Sequence, residues 1–240
     1  MDDPTSATDV DPRRNAILRS LPETEFARVL ARCERVRTAL KESVYDRGKP
    51  VEHVYFPLTA VFSHVALVDD QVVVEVGTIG PEGFVGLPAF LGTTRSPNAT
   101  FSQVEGDSLR MSVEALQEVL RGDGSLHRAL SRYTQAMIIQ LAQNVACNTQ
   151  HTVEERAARW LLMTADRVGA PEFPLTQEFL AQMLGVRRPT VSLTAGVLQS
   201  AGLIRYTRGR ITIVDREGLL DASCDCYLLL REEFDRLTAG

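Results

Sequence analysis

The sequence predicts an α+β chain in three parts: an N-terminal antiparallel β-roll of jelly-roll type over 12–124, a long dimerisation helix over 125–151, and a C-terminal winged helix-turn-helix domain over 152–240. Three patterns predict it. Residues 44–111 run as short alternating strands broken by Gly and Pro, residues 125–151 carry an apolar stripe at helical spacing with no Gly or Pro, and residues 175–215 read as helix, turn, helix and hairpin.

The 240 residues, 44% hydrophobic and 24% charged, suffice for two domains with cores of their own. No apolar run is long enough to span a bilayer, and the acidic opening MDDPTSATDVDP is unlike a signal peptide, so a cytoplasmic protein with a disordered tail over 1–11 is expected. Cys33, Cys147, Cys224 and Cys226 are scattered, which predicts reduced thiols rather than a disulfide scaffold.

Over 12–42, Ile17, Leu18, Leu21, Phe26, Val29, Leu30 and Cys33 fall at helical spacing, with Pro22 opening a second piece, and predict a helical cap. Strands are predicted at Val51–Phe56, Ala60–Val68, Gln71–Ile79, Thr100–Val104 and Ser108–Ser112, with Asp69-Asp70 at a hairpin tip. Gly80–Gly92, GPEGFVGLPAFLG, interrupts them. Its glycines could offer backbone N–H groups to an anion, but tight corners of a small barrel need the same residues, and the corner reading is the stronger.

After a short helix at 113–120, residues 125–151 place Leu126, Leu130, Met137, Leu141 and Val145 along one stripe, widened by Ile138 and Ala142. A helix of about 40 Å between two domains reads as a dimer seam. Thr152-Val-Glu-Glu155 then has the capping-box form, so a new helix starts at 153 and a hinge falls near His151. Ala157, Trp160, Leu161 and Thr164 are its predicted buried face.

In the last module Thr176 is placed to N-cap a helix with Leu180, Met183 and Leu184 inward, and Gly185 to end it in a left-handed turn. The second helix starts near Arg188 with Pro189 in its first turn, burying Val191, Ala195 and Leu198 and showing Arg188, Ser192, Gly196 and Gln199. Two strands around Thr207-Arg208-Gly209 form a wing, with Arg205, Arg208 and Arg210 as a phosphate-binding edge. From 175 to 216 six arginines face only Glu178 and Asp215, a balance of +4 in a chain of net −5. Segregated positive charge on a helix-turn-helix points to double-stranded DNA, with Arg188 the base-reading candidate. A last helix is expected around 217–222, and CDCYLLLREEF is a candidate for another.

The order of these parts, and the segments FPLTAVFSHVAL, GPEGFVG, ACNTQHTVEERAARWLL and LTQEFLAQMLGVRRPTVS, make the chain resemble the Crp/Fnr family of bacterial transcription regulators. The resemblance implies a homodimer with a sensing roll, paired long helices, and recognition helices that read an inverted repeat. RNA polymerase is a further implied partner. By motif position it places Thr176, Gln177, Arg187 and Thr190 at phosphates and Arg188, Pro189 and Leu193 at bases, beside Ser192, Arg208 and Arg210.

The departures bear on the signal. Family members that bind cyclic AMP hold its ribose with a Glu and its phosphate with an Arg, and the effector pocket expected at Gly83, Gly86, Leu87, Pro97 and Asn98 has Leu87 and Pro97 at those places. Control by cyclic AMP is therefore not expected, nor is a resident cofactor or metal. Cys33 alone cannot supply the iron-sulfur set that other members carry.

Two other readings compete with this one. A cupin-type metal enzyme would draw on His53, His64 and Glu75, but no His-x-His pair occurs on a strand, and no catalysis is expected. A redox or metal switch at Cys224 and Cys226 needs neighbours that two thiols in an acidic stretch do not supply.

Overall fold

A computed structural model describes residues 10–68, 72–122 and 124–238. Residues 1–9 of the expected tail and the Asp69-Asp70 tip lie outside the described residues; Val10 and Asp11 lie inside them, and Asp11 caps a short 3-10 turn at Pro12–Arg14.

Two short helices follow, α1 (Ala16–Arg19) and α2 (Glu23–Leu30), the second beginning behind Pro22. Asn15 explains their attachment. Its side chain caps α1 by accepting from the Leu18 N–H and donates to the carbonyls of Pro57 and Gly83, so a fully buried amide is satisfied on both sides.

The helical cap predicted to run to residue 42 stops at Leu30. Residues Glu34–Thr38 and Ser43–Tyr45 are instead strands β1 and β2. In β1 the arginines alternate with Val36 and Thr38, a period of two that the charged character of ERVRT disguises as a solvated helix face. The remaining roll strands lie close to their expected places: β3 (His53–Pro57), β4 (Val61–Val68), β5 (Val72–Ile79), β6 (Ala99–Val104) and β7 (Gly106–Ser112). They form two antiparallel sheets, ordered β1-β7-β3 and β2-β6-β4-β5. A one-turn helix, α3 (Leu87–Phe90), sits in the glycine-rich corner.

That corner is held by close packing. A Cβ on Gly83 would lie 2.6 Å from the Tyr133 hydroxyl oxygen, and one on Gly86 would lie 2.4 Å from the Phe84 ring. Phe56, Phe62, Phe84, Leu109 and Met111 fill the roll.

Helix α4 (Val113–Leu120) leads to α5 (Ser125–Gln150). Here the structure corrects the seam. Leu126, Leu130 and Met137 are buried inside the roll core of their own chain, so they have no surface to give to a partner. Ile138, Leu141 and Val145 remain outward at 55%, 38% and 68% exposure. The stripe read from the sequence was a mixture of two faces, because α5 buries one side in the roll along its first half.

Helix α6 (Val153–Val168) starts with the predicted capping box, in which Thr152 and Glu155 satisfy each other's backbone N–H groups. The last module consists of β8 (Glu172–Pro174), α7 (Gln177–Leu184), α8 (Arg188–Ser200), β9 (Ile204–Thr207), β10 (Arg210–Ile213) and α9 (Arg216–Asp221). Its sheet has the order β8-β10-β9, one strand more than expected. The chain ends in α10 (Cys226–Thr238), which lies along α5 and reaches the roll, where Phe234 packs 6.3 Å from Tyr133.

Candidate nucleic-acid interface

Helix α7 is fixed at both ends. The Thr176 hydroxyl accepts from the Phe179 N–H, and Gly185 closes the helix at φ 64°. Helix α8 follows with Pro189 in its first turn, where a missing N–H costs nothing. Its inner face is Val191, Thr194, Ala195 and Leu198, all buried.

The outer face carries Arg188, Ser192, Leu193 and Val197, with Leu193 73% and Val197 55% exposed. The Ser192 hydroxyl donates to Gln177 Oε1 at 2.7 Å, which locks the recognition helix to the start of α7 and leaves the Gln177 NH2 as a donor. Gln199 Oε1 accepts from the Tyr206 N–H, so Gln199 braces the wing.

Among the described residues Arg187, Arg188 and Arg208 form no ion pair. Arg187 caps α8 and Arg188 is its first residue. Arg208 and Gly209 form the wing tip at φ 48° and 77°, the paired left-handed conformation of a two-residue hairpin turn. Arg210 departs from the expected edge: its guanidinium is held 2.8 Å from Glu172 on β8, a strand the sequence did not announce. The candidate surface is therefore Thr176, Gln177, Arg187, Arg188, Pro189, Thr190, Ser192 and Leu193 with Arg208 beyond them, and Arg210, half exposed, shares an ion pair with Glu172.

The module rests on the roll of its own chain. Phe179 packs 6.0 Å from Phe101 and 6.4 Å from Trp160, and the Trp160 N–H donates to Glu75 at 2.7 Å. Trp160 thus packs as expected and also bridges the two parts. The Ser63 hydroxyl oxygen lies 2.6 Å from Glu75 Oε1 and 2.9 Å from Gln103 Oε1. One hydroxyl proton serves one acceptor, so a protonated Glu75 donating to Ser63, with Ser63 donating to Gln103, satisfies the set. Burial pushes the Glu75 carboxyl up, in the same sense.

Inside the roll a cavity of about 300 Å³ is lined by Gly86, Leu87, Pro97 and Asn98 of the expected pocket, together with Tyr45, His64 and Arg95. Gly83 is not part of it; it backs against Tyr133. His64 lies 2.8 Å from Thr100 Oγ1 and 3.2 Å from the Asn98 amide nitrogen, and burial lowers its pKa, so it is a neutral ring with Nδ1–H donating. The Arg95 guanidinium donates to the Gly48 carbonyl at 3.0 Å. No carboxylate lines the cavity among the described residues. His53, His64 and Glu75 do not converge, because His64 faces the cavity and Glu75 faces α6.

At the hinge the structure supplies the neighbours that the sequence reading of Cys224 and Cys226 lacked. Cys147 and His151, one turn apart at the end of α5, meet them with all four ligand atoms within 4.8 Å of one another. The Cys147 thiol is held below its usual value, chiefly by its contact with the Cys224 thiol 3.6 Å away.

Comparison with known proteins places this geometry. Residues 155–222 match the Crp-like helix-turn-helix domain. No curated protein matches the chain by sequence. Among solved structures, FixK2 from Bradyrhizobium japonicum superposes with a TM-score of 0.68 at 19% identity, over 80% of this chain and 98% of that one. A CRP-family transcriptional regulator from Thermus thermophilus gives 0.67 at 21% identity over 78% and 96%. The c-di-GMP responsive global regulator CLP of Xanthomonas campestris gives 0.65 at 18% identity over 80% and 99%. No helix among the described residues is long and apolar enough to cross a membrane.

Proposed function

From a chain that has the fold of the Crp/Fnr transcription regulators and carries a Crp-like helix-turn-helix domain, we infer a DNA-binding transcription regulator that acts as a homodimer on an inverted repeat. The observation that carries this reading is the surface of α8. A recognition helix meets the major groove with its first turns, and here those turns offer Arg188 and Leu193, exposed and unpaired, flanked by Arg187 and the wing's Arg208. Arg188 can donate bidentately to a guanine, and Leu193 presents an apolar surface suited to a thymine methyl group. Thr176, Gln177, Arg187, Thr190 and Arg208 supply contacts to phosphates.

Dimerisation follows from the outward half of α5. Ile138, Leu141, Ala142 and Val145 share one face at i, i+3, i+4 and i+7, the spacing of a helix seam, while Asn144 on another side donates to Val76 of β5. Two copies joined there present two α8 helices to DNA.

The cavity in the roll supports an effector other than a cyclic nucleotide. Leu87 and Pro97 stand where ribose and phosphate partners would be, His64 is neutral, and Arg95 is engaged with the backbone. A small, largely apolar molecule with one or two polar groups fits the lining. Contact with RNA polymerase and a cytoplasmic site of action accompany this reading.

The reading is tested by measuring binding to duplex DNA against salt concentration by fluorescence anisotropy. Affinity should fall linearly on logarithmic axes with a slope of about −0.9 per neutralised phosphate. Arg187→Ala, changed in both protomers, should make the slope shallower by about 2. A salt-independent signal that the substitution leaves unchanged refutes the interface.

A further inference from the structure

Cys147, His151, Cys224 and Cys226 come from three segments: the last turn of α5, its C-terminal cap, and the turn that opens α10. Cys147 and His151 are four residues apart and so lie on one helix face, while Cys224 and Cys226 are brought in from 77 and 75 residues away. The three thiols are buried and His151 is half-buried.

Two edges of the cluster match those of a single tetrahedral ion, and all four ligand atoms lie within 4.8 Å of one another. Bonds of ~2.3 Å to sulfur and ~2.0 Å to nitrogen imply sulfur-sulfur edges of ~3.8 Å and sulfur-nitrogen edges of ~3.5 Å. Cys147 Sγ and Cys224 Sγ are 3.6 Å apart, and Cys226 Sγ is 3.6 Å from His151 Nδ1. Such a spacing leaves no room for an iron-sulfur cluster, which holds its cysteines at the outer corners of a larger body. Nor is a disulfide formed, as all four cysteines are free.

A second observation concerns charge. Arg156 and Arg159 of α6 are buried to within 9% and 7% exposure, form no ion pair among the described residues, and each leaves a buried Nε without a hydrogen-bond partner. Arg159 reaches the end of α5 directly, its guanidinium donating at 3.0 Å to Asn144 Oδ1, three residues before Cys147. Two buried cations without a carboxylate need a counter-charge nearby. Three thiolates and a divalent ion carry a net charge of −1 and supply it. The Gln143 amide donates to Cys226 Sγ at 3.0 Å, an outer hydrogen bond of the kind that orients a metal-bound thiolate.

We propose that Cys147, His151, Cys224 and Cys226 bind one zinc ion in a closed, structural Cys3His site that clamps the end of α5 to the start of α10. All four positions are filled by protein, so the ion is not placed for catalysis. The thiols bind as thiolates and their protons pass to solvent. Because His151 precedes the Thr152 cap of α6, the clamp fixes the hinge from which the helix-turn-helix module departs.

The test uses the full-length reduced protein. Elemental analysis should find about one zinc per chain, and replacement by cobalt(II) should give the intense visible bands of a tetrahedral thiolate complex. Cys224→Ser and Cys226→Ser should weaken zinc retention against a competing chelator by at least about a hundredfold, beyond what outer-shell changes cause. Cys33→Ser, in the roll, should leave it unchanged. Should the serine variants fail to fold, His151→Cys decides, since a fourth thiolate keeps a tetrahedral site and strengthens the charge-transfer bands. Protein that lacks metal and carries a Cys147–Cys224 disulfide, a cobalt spectrum indifferent to these substitutions, or stoichiometric iron in place of zinc would each overturn the proposal.

Discussion

Arg188→Ala is the perturbation that most separates base reading from simple electrostatic attraction. Arg188 is exposed, opens α8, and forms no ion pair among the described residues, so its removal should leave thermal stability within about 0.5 kcal/mol. On DNA the loss is specific. A bidentate arginine-guanine pair contributes about 1–3 kcal/mol of discrimination, and each 1.4 kcal/mol is about a factor of ten. One half-site therefore loses about five- to 150-fold, and a dimer that reads both halves loses the square of that on its preferred operator. Binding to unrelated duplex should weaken only by the one phosphate-range charge lost per protomer. The assay is competition anisotropy with an operator and with duplexes changed at single positions. Arg188→Ala should become indifferent to the identity of one symmetrically placed base pair, whereas Arg187→Ala should weaken all duplexes alike. Equal, sequence-independent losses for both variants would show that Arg188 reads no base.

Three further outcomes are expected. Leu141→Glu removes roughly 0.6–1.1 kcal/mol for burying the 38% of Leu141 still exposed, twice in a symmetric seam, and opposes two like charges, so sedimentation should show dimer weakened by at least about one decade; an intact dimer places the seam elsewhere. Glu75 has its carboxyl raised from 4.5 by burial, so the folded state binds more protons than the unfolded one above that pH. Stability should therefore fall as pH rises from 4.5 through the folded value, and Glu75→Gln should flatten that slope in thermal melts; a parallel profile in the variant removes Glu75 as the cause. Titration calorimetry with cyclic AMP and cyclic GMP should register no micromolar binding, since two charged contacts of about 1.5–3 kcal/mol each are missing at Leu87 and Pro97; micromolar binding that also tightens DNA affinity contradicts the reading of the cavity.

The parts legible in the sequence are those set by local rules. The Thr152-Glu155 box, the Gly185 turn, Pro189 in the first turn of α8 and the Arg208-Gly209 wing tip each depend on residues a few positions apart, and each forms as its pattern predicts. What was hidden depends on distant partners. Strand β1 is an edge strand whose charged residues conceal its alternation, and β8 is three residues long, visible only through its pairing with β10. The phase of α5 could not be read because its stripe serves the roll first and solvent later. Arg210 pairs in the free protein with Glu172, 38 residues away. The hinge cluster had one local signal, Cys147 and His151 at helical i, i+4 spacing, but its pairing with Cys224-Asp-Cys226 is decided by the return of α10 along α5.

The most direct test of the central claim is selection of bound duplexes from a random pool by the purified dimer, followed by sequencing. The account predicts an enriched inverted repeat whose half-site centres lie about 10–10.5 base pairs apart, or a multiple of that, with one guanine position per half that Arg188→Ala no longer enriches. A pool that stays random, or one enriched in a single unrepeated site, contradicts it.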